Sequence, residues 1–430
     1  MTTRAIAFVL GVFAGCQANA ESLGLGDLIE LADKSNLGRV EGRLGLQKSE
    51  SEVTRARSAF LPRLLVESEA GYGSRSEAWT SEASLVLRQN FYDGGRSWSE
   101  FRRAAVSRDR ARFEEQRARG SLALAVLRAY ADSSRLERNR VASRRKLELL
   151  EGQFELSRRQ YRQGRKTQRD YQLLEAELER SRLELESLDA RIFSSYRELE
   201  KIVGSADAAF DATKIEMLTA EKILSLKSWS SPVAYDPSTE SLELKAQALS
   251  VEDRKLALDL ARRQYWPVLD LSASASYGST DFVGPLSEGW SANAGTNLGA
   301  ALRVTWTLWD WGGVPAQVAS AKADALVEER RYEQKKLELV NDYRSLGENL
   351  KRQLRVLELQ KKIRGLERNS FRNIEKEYRE GRSSYLDLIT ALERDIQAEL
   401  SFENEAFSYF VSLAEVLELK GNLYEYAKAL

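Results

Sequence analysis

Two kinds of hydrophobic pattern run along this chain, and each occurs twice. Between Ser97 and Gln160 there is no proline, and the only glycines are Gly120 and Gly152. Ala, Leu, Arg and Glu dominate, all good helix formers. The apolar positions Leu122, Val126, Ala129, Tyr130 and Leu136, then Leu147, Leu150, Phe154 and Tyr161, recur mostly at spacings of three, four or seven. That is the stripe of a helix packed on neighbours in coiled-coil fashion. At about 1.5 Å per residue it predicts a helix roughly 96 Å long, far more than a globular domain needs. A second such helix is predicted from Ala316 to Glu377, through Leu326, Leu337, Val340, Tyr343, Leu350, Leu354 and Leu357. Shorter helices follow at Gln168 to Val203 and Tyr385 to Lys420. Helices alone would suit a filamentous coiled coil.

The other pattern has period two. After Pro62, Leu64, Val66, Ser68, Ala70 and Tyr72 alternate with Arg63, Leu65, Glu67, Glu69 and Gly71. After Pro267, Leu269, Leu271, Ala273, Ala275 and Tyr277 alternate with Asp270, Ser272, Ser274 and Ser276. Returning strands carry Leu85, Leu87 and Phe91, and then Leu298, Ala300, Leu302, Val304, Trp306 and Leu308. Alternation over about 10 residues fits a transmembrane β-barrel strand, although a half-buried soluble hairpin would look similar. Four strands cannot close a membrane barrel, whose smallest single-chain forms have about eight, and lipid does not tolerate an open edge. Hairpins in a membrane therefore require several chains to share one barrel. Tyr72, Phe91, Tyr92, Tyr277, Trp306 and Trp309 at the strand ends suit interfacial girdles.

Both patterns repeat with one period. Asp93 and Asp310, Tyr161 and Tyr378, Gly164 and Gly381, Asp170 and Asp387, and Gly204 and Gly421 are each 217 positions apart. The chain thus reads as tandem copies, 21–204 and 240–430, each running helix, β-hairpin, long helix, turn, helix. The hairpins are predicted at about 63–91 and about 268–309, with a linker over 205–239. Insertions concentrate in loops, so the extra residues of the second hairpin are expected between its strands. The strand-to-helix junctions Asp93-Gly94-Gly95 and Asp310-Trp311-Gly312-Gly313 use glycines for backbone conformations closed to other residues. A phosphate loop is disfavoured, because no Lys-Ser/Thr follows them.

Composition removes other classes. Lys+Arg and Asp+Glu both number 65, so no net charge attracts nucleic acid. There is no histidine and the single cysteine is Cys16, which excludes Cys/His zinc sites and His-based catalytic groups. No enzyme activity and no cofactor are expected. Arg4, the apolar run Ala5–Ala14 and Ala18-Asn19-Ala20 read as a secretory signal over residues 1–20; Phe13-Ala14-Gly15-Cys16 loosely resembles a lipoprotein cleavage box instead. No later stretch is long and apolar enough for a membrane helix.

The signal, the tandem halves, the proline before each hairpin, the aromatic-Asp-Gly-Gly junctions and the twin turns Tyr161–Asp170 and Tyr378–Asp387 together resemble the outer-membrane efflux proteins, the TolC-like exit ducts of Gram-negative bacteria. The resemblance implies an α+β membrane protein in which a long antiparallel α-helical barrel is continuous with a β-barrel, four strands per chain giving twelve in a homotrimer. It implies a place in the outer membrane with most of the chain in the periplasm, and passive export within a tripartite efflux or type I secretion system. The partners it implies are a periplasmic membrane-fusion adaptor, an inner-membrane transporter of RND or ABC type, and outer-membrane lipid. The linker would then lie around the equator of the helical barrel.

By the same resemblance, Tyr161, Gly164, Arg165, Lys166, Thr167 and Asp170, with Tyr378, Gly381, Arg382, Ser383 and Ser384, form two adaptor-contacting tips. Asp387 matches a pore-lining position, and Thr390 stands where some relatives carry a second aspartate. The residues also allow a structural reading: glycine as a helix C-cap, Thr167 or Ser384 as the next N-cap, and Asp170 or Asp387 in a capping-box place. The competing reading of the whole chain is a periplasmic helical-hairpin adaptor or scaffold, which would lack paired membrane-type hairpins.

Overall fold

The computed structural model describes residues 24–73, 78–204, 215–225, 236, 240–279 and 295–428. The expected signal sequence, most of the 205–239 linker and the expected loop of the second hairpin lie outside them. The chain divides into two compact units, one comprising Met1–Val40, Arg119–Tyr235 and Asp342–Leu430, the other Glu41–Ala118 and Asp236–Asn341.

The second unit carries the sheet. Strands β1 (Arg63–Gly73), β2 (Ala78–Tyr92), β3 (Val268–Ser279) and β4 (Gly295–Thr305) form one antiparallel sheet in the order β1-β2-β3-β4. Register puts like with like across it. Leu64 lies opposite Leu87 and Leu87 opposite Ala273, while Val66, Leu85, Ala275 and Leu298 form a parallel row. On the other face, Arg63, Arg88, Ser272 and Ala301 form one row, and Glu67, Ser84, Ser276 and Asn297 another, with Arg88 Nη2 2.7 Å from Glu67 Oε1. One face is therefore apolar and exposed, with Leu298 at 82 % and Val66 at 78 %. Among the described residues, neither β1 nor β4 has a second strand partner.

The returning strand of the second hairpin ends at Thr305, paired with Val268, rather than near 309. The next pair would engage Pro267, which has no N–H to donate, so the ladder stops there. Trp306 uses its indole Nε1 instead, donating to the Tyr265 carbonyl at 3.0 Å.

Helix α2 (Leu37–Ser58) enters β1, and helix α6 (Leu242–Arg262) with a short 3₁₀ turn, Arg263–Tyr265, enters β3. From the sheet run α3 (Arg96–Arg162) and α7 (Gly313–Arg379), each of 67 residues. Pro315 lies in the first turn of α7, where a missing N–H costs nothing. Both helices begin in this unit and continue into the first.

The first unit is helical. It contains α1 (Leu25–Ser35), the remainder of α3 and α7, α4 (Gln168–Val203), α5 (Ala220–Ser225), α8 (Tyr385–Leu419) and α9 (Leu423–Lys428). Its main core joins Leu28 and Ile29 of α1, Val126, Leu127 and Tyr130 of α3, Leu199 of α4, Leu357 of α7, and Phe402, Tyr409 and Phe410 of α8. Ile215, Leu218, Ala220 and Ile223, from the described part of the linker, are buried in the same cluster. Tyr130 donates its hydroxyl to the Glu216 carbonyl. No helix among the described residues is long and apolar enough to cross a membrane.

Candidate functional site

The two turns Tyr161–Asp170 and Tyr378–Asp387 end the two long helices in the same way. The Gly164 N–H donates to the Tyr161 carbonyl at 2.9 Å and the Arg165 N–H to the Gln160 carbonyl at 2.9 Å. At the second tip the pairs are Gly381 to Tyr378 at 3.0 Å and Arg382 to Glu377 at 2.8 Å. Each is a Schellman cap, which needs a left-handed residue; Gly164 has φ +70° and Gly381 +75°.

Hydrophobic packing brings the tips together. Leu150 of α3 and Leu174 and Leu178 of α4 form a buried cluster on which Tyr385 and Ile389 of α8 pack. The Lys166 ammonium sits 4.3 Å from the centre of the Tyr385 ring and 3.3 Å from Ser157 Oγ. Tyr171 stacks on Tyr161 at 5.3 Å and packs on Phe154. Arg165 and Arg169 are exposed, whereas Arg382 pairs with Glu380 and Arg379 with Glu375.

Ser384 is the N-cap of α8. The Asp387 N–H donates to Ser384 Oγ at 3.2 Å, and Asp387 Oδ2 accepts from the Ser384 N–H at 3.0 Å. The serine hydroxyl also donates to Asp387 Oδ2 at 2.5 Å. These bonds, the hydroxyl first, hold the Asp387 carboxyl below the usual carboxylate range. It is an exposed, ionised group at the positive end of a helix. Thr390, one turn on, is half-buried. Thr167 directly precedes α4; the Asp170 side chain lies outside the described residues.

The junction residues are held far more tightly in one half than in the other. Asp93 accepts from the N–H groups of Gly95 at 2.9 Å and Ser97 at 2.7 Å, starting α3. Gly94 and Gly95, with φ +68° and +81°, lie against the α6–β3 turn. A Cβ on Gly94 would stand 2.5 Å from Trp266 Cβ, and one on Gly95 2.0 Å from Arg263 Nη1. Arg263 donates to the Gly94 carbonyl at 2.7 Å and to Asp259 at 2.8 Å, Ser99 donates to Asp259 at 2.8 Å, and Arg96 donates to the Arg263, Gln264 and Trp266 carbonyls. In the second half Asp310 caps α7 through Gly312 and Val314. The left-handed residues there are Trp311, at φ +57°, and Gly312, at +94°, not the expected glycine pair. The gapless alignment places Trp311 opposite Gly94, and Gly313 opposite Arg96.

The outer membrane efflux protein family model matches residues 28–205 and 238–406. The chain belongs to that family. Solved structures similar to this efflux protein include the Vibrio cholerae outer membrane protein VceC, with 18% identity, TM-score 0.73, and 92% of this chain and 96% of that one covered. The Campylobacter jejuni CmeC outer membrane channel matches with 15% identity, TM-score 0.77 and coverage of 93% and 85%. The open state of the Neisseria gonorrhoeae MtrE outer membrane channel matches with 18% identity, TM-score 0.73 and coverage of 95% and 94%. At such identities the likeness carries the fold: long helices with a small antiparallel sheet. No curated protein sequence matches the chain. The family is one of efflux channels, not of enzymes.

Sequence reasoning missed a group of acids on α8 of this efflux protein, two of them, Asp395 and Glu403, buried. Asp395, Glu399 and Glu403 follow one another at spacings of four, within a stripe that otherwise holds Leu388, Leu392, Ile396 and Phe402. An acid at a core position of a helical stripe was the available signal. Asp395 is 0 % exposed and lies 3.4 Å from Arg145 of α3 and 3.8 Å from Arg368 of α7, with no hydrogen bond to either carboxylate oxygen. Both arginines also reach Glu399, at 3.3 and 3.0 Å. Burial pushes the Asp395 carboxyl up, against the pull of Arg145 and Arg368. Burial, aided by the Glu221 carboxylate of α5, pushes Glu403 up to about 7 despite Arg138 and Arg364. Arg364 is engaged elsewhere, by Glu221 at 3.1 Å and the Phe402 ring at 4.0 Å.

Because its folded pKa lies above the unfolded value near 4.3, Glu403 contributes stability that is fully present below that value and lost as pH rises through about 7. Glu403→Gln should therefore flatten the fall in unfolding temperature between pH 5 and pH 8, and be more stable than the parent at pH 8. Thermal unfolding of both proteins across that range checks it. At the junction, Gly94→Ala should cost more than Gly164→Ala. The former meets Trp266 as well as a left-handed backbone, the latter only the backbone strain of about 1–2 kcal/mol. Denaturant unfolding of the two variants gives the difference.

Proposed function

We propose that this chain is the outer-membrane exit duct of a tripartite efflux or type I secretion assembly, working as a homotrimer in a Gram-negative bacterium. Three copies of β1–β4 make a twelve-stranded barrel, and the paired long helices continue it as an α-helical barrel in the periplasm. Residues 21–204 and 240–430 are its two repeats, joined around the equator by 205–239. The tips at Gly164 and Gly381 meet a membrane-fusion adaptor coupled to an inner-membrane transporter. Substrate passes without chemistry, and energy comes from the inner membrane.

The observation that carries this reading is the sheet: four strands with one exposed apolar face, a polar face and two open edges, in a chain of the outer membrane efflux protein family. An open edge in hydrocarbon leaves backbone groups unsatisfied at several kcal/mol each, which strands from further copies remove. The relatives CmeC and MtrE are themselves outer membrane channels. A periplasmic adaptor has no use for such a face.

Asp387 is the gate residue of this reading, with Thr390 one turn inward. Its ionised carboxylate, repeated in each copy, makes a ring of negative charge that attracts cations and constricts the tip. Arg165, Lys166 and Arg169 make the first tip the more basic docking surface, since Arg382 is paired within its own turn.

In fractionated cells the protein should appear in the outer membrane and crosslink as a trimer; a monomer in the soluble periplasm would sink the proposal. In planar bilayers, Asp387→Ala and Asp387→Asn should both weaken block by multivalent cations and raise single-channel conductance. If only the alanine variant differs from the parent, the residue is a helix cap and not a gate. Arg165→Glu should reduce copurification of the adaptor, and unchanged recovery would remove the first tip from that contact.

A further inference from the structure

The internal duplication gives the second junction a definite counterpart. In the first half, the start of α3 is fastened to the α6–β3 turn by a polar clasp of Arg96, Ser99, Asp259 and Arg263, with Trp266 closing over Gly94. Further along α3, Arg102 faces Glu252 at 3.5 Å and Arg103 faces Asp253 at 3.0 Å. Among the described residues, the corresponding start of α7 has no such neighbour. Nothing lies within 4 Å of a Cβ built on Gly312, Trp311 is 90 % exposed and Trp309 is 74 % exposed.

The segment that would complement it by the repeat is the end of α2 before β1, since Pro62 corresponds to Pro267. Leu61, 61 % exposed, occupies the place of Trp266. Every member of the polar clasp is exchanged together. Arg96 and Ser99 become Gly313 and Ala316 on the α7 side, and Asp259 and Arg263 become Thr54 and Ser58 on the α2 side. Arg102 and Arg103 become Ala319 and Ser320, opposite Gln47 and Lys48. Size is exchanged too: Gly94 beneath Trp266 becomes Trp311 facing Leu61. A tryptophan in the left-handed region costs on the order of 1–3 kcal/mol, so an exposed one needs a compensating contact.

We infer that Trp311 and the small-residue start of α7 dock on the Ser58–Leu61 end of α2 in a second copy of this chain, forming an apolar junction between copies where the junction within each copy is ionic. The inference rests on the reading of several copies sharing one barrel, because β4 and β1 are the edges those copies would join. The side-chain exchange makes the two contacts distinguishable. The junction within the chain depends on charge pairs and is weakened by salt; the junction between copies is not. Tryptophan is also among the residues enriched in the contacts that dominate protein interfaces.

The test uses full-length protein in outer membranes. A Leu61→Cys/Trp311→Cys double variant should form covalent dimers and trimers on oxidation, and each single variant should not. A second double variant, Ala70→Cys/Leu302→Cys, placed by the repeat where Ala275 faces Leu85, reports the pairing of sheet edges separately. If the edges crosslink and the junction does not, the docking is wrong while the shared barrel stands; if neither crosslinks and the protein is monomeric, the shared barrel fails. Trp311→Gly should speed trimer dissociation in detergent about tenfold or more, the loss expected for a buried aromatic anchor. Were Trp311 only a strained surface residue, glycine would relieve the strain and leave the trimer equally or more stable, which overturns the proposal.

Discussion

A sheet of four strands has two edges, and this one also has an exposed apolar face. On the proposed reading the apolar face suits lipid but the edges cannot persist there in a lone molecule, because hydrocarbon satisfies no backbone N–H or carbonyl. Much of the remaining architecture follows from that constraint. A barrel completed by several copies needs each strand to present apolar and polar residues to opposite sides, as Leu64, Leu87 and Ala273 do against Arg63, Arg88 and Ser272. It needs the strands to lead into helices at one end, where Asp93 and Asp310 accept from the first N–H groups of α3 and α7 and cap them. It also needs junctions rigid enough that the helices leave the sheet at a fixed angle.

The duplication supplies the same backbone twice, with side chains that differ where their neighbours differ. Gly164 and Gly381 share φ, cap geometry and hydrogen-bond partners to within a few tenths of an ångström. Gly94 and Trp311 share φ and the aspartate cap beside them, but not the neighbours that pack on them. Backbone conformation is set by local chain constraints common to both halves, whereas the side chain answers to whatever packs upon it. One half meets its own chain, with Arg263 within hydrogen-bonding distance; the other presents an indole outward.

Much of this was legible in the sequence because it is local and periodic. Alternation placed β1 to β4, the spacing of three and four with no proline placed α3 and α7, and the period of 217 paired the tips. What escaped depends on contacts distant in sequence. Arg263 looks like any helix-terminal arginine until the fold brings it to Gly94, and β4 stops at Thr305 only because its partner is Pro267. Counting glycines put two in the second junction, but the left-handed pair includes Trp311. Asp395 and Glu403 were hidden among 65 acidic residues, since spacing alone does not separate a buried carboxylate from a solvated one.

Those buried carboxylates bear on the tip. Helix α8 starts at the Ser384–Asp387 capping box and reaches Asp395 after little more than two turns. There Arg145 of α3 and Arg368 of α7 converge on Asp395 and Glu399 from two different helices. Arg145 and Arg368 are partly exposed, so their pairs contribute little to stability; what the group does is tie α3 and α7 to one face of α8. Together with the apolar stripe of Leu388, Leu392 and Ile396, it sets which face of α8 turns inward. On the proposed reading, the direction in which Asp387 faces is therefore set from Arg145 and Arg368. On that reading the tip's own cap holds the carboxylate charged, and the network around Asp395 aims it.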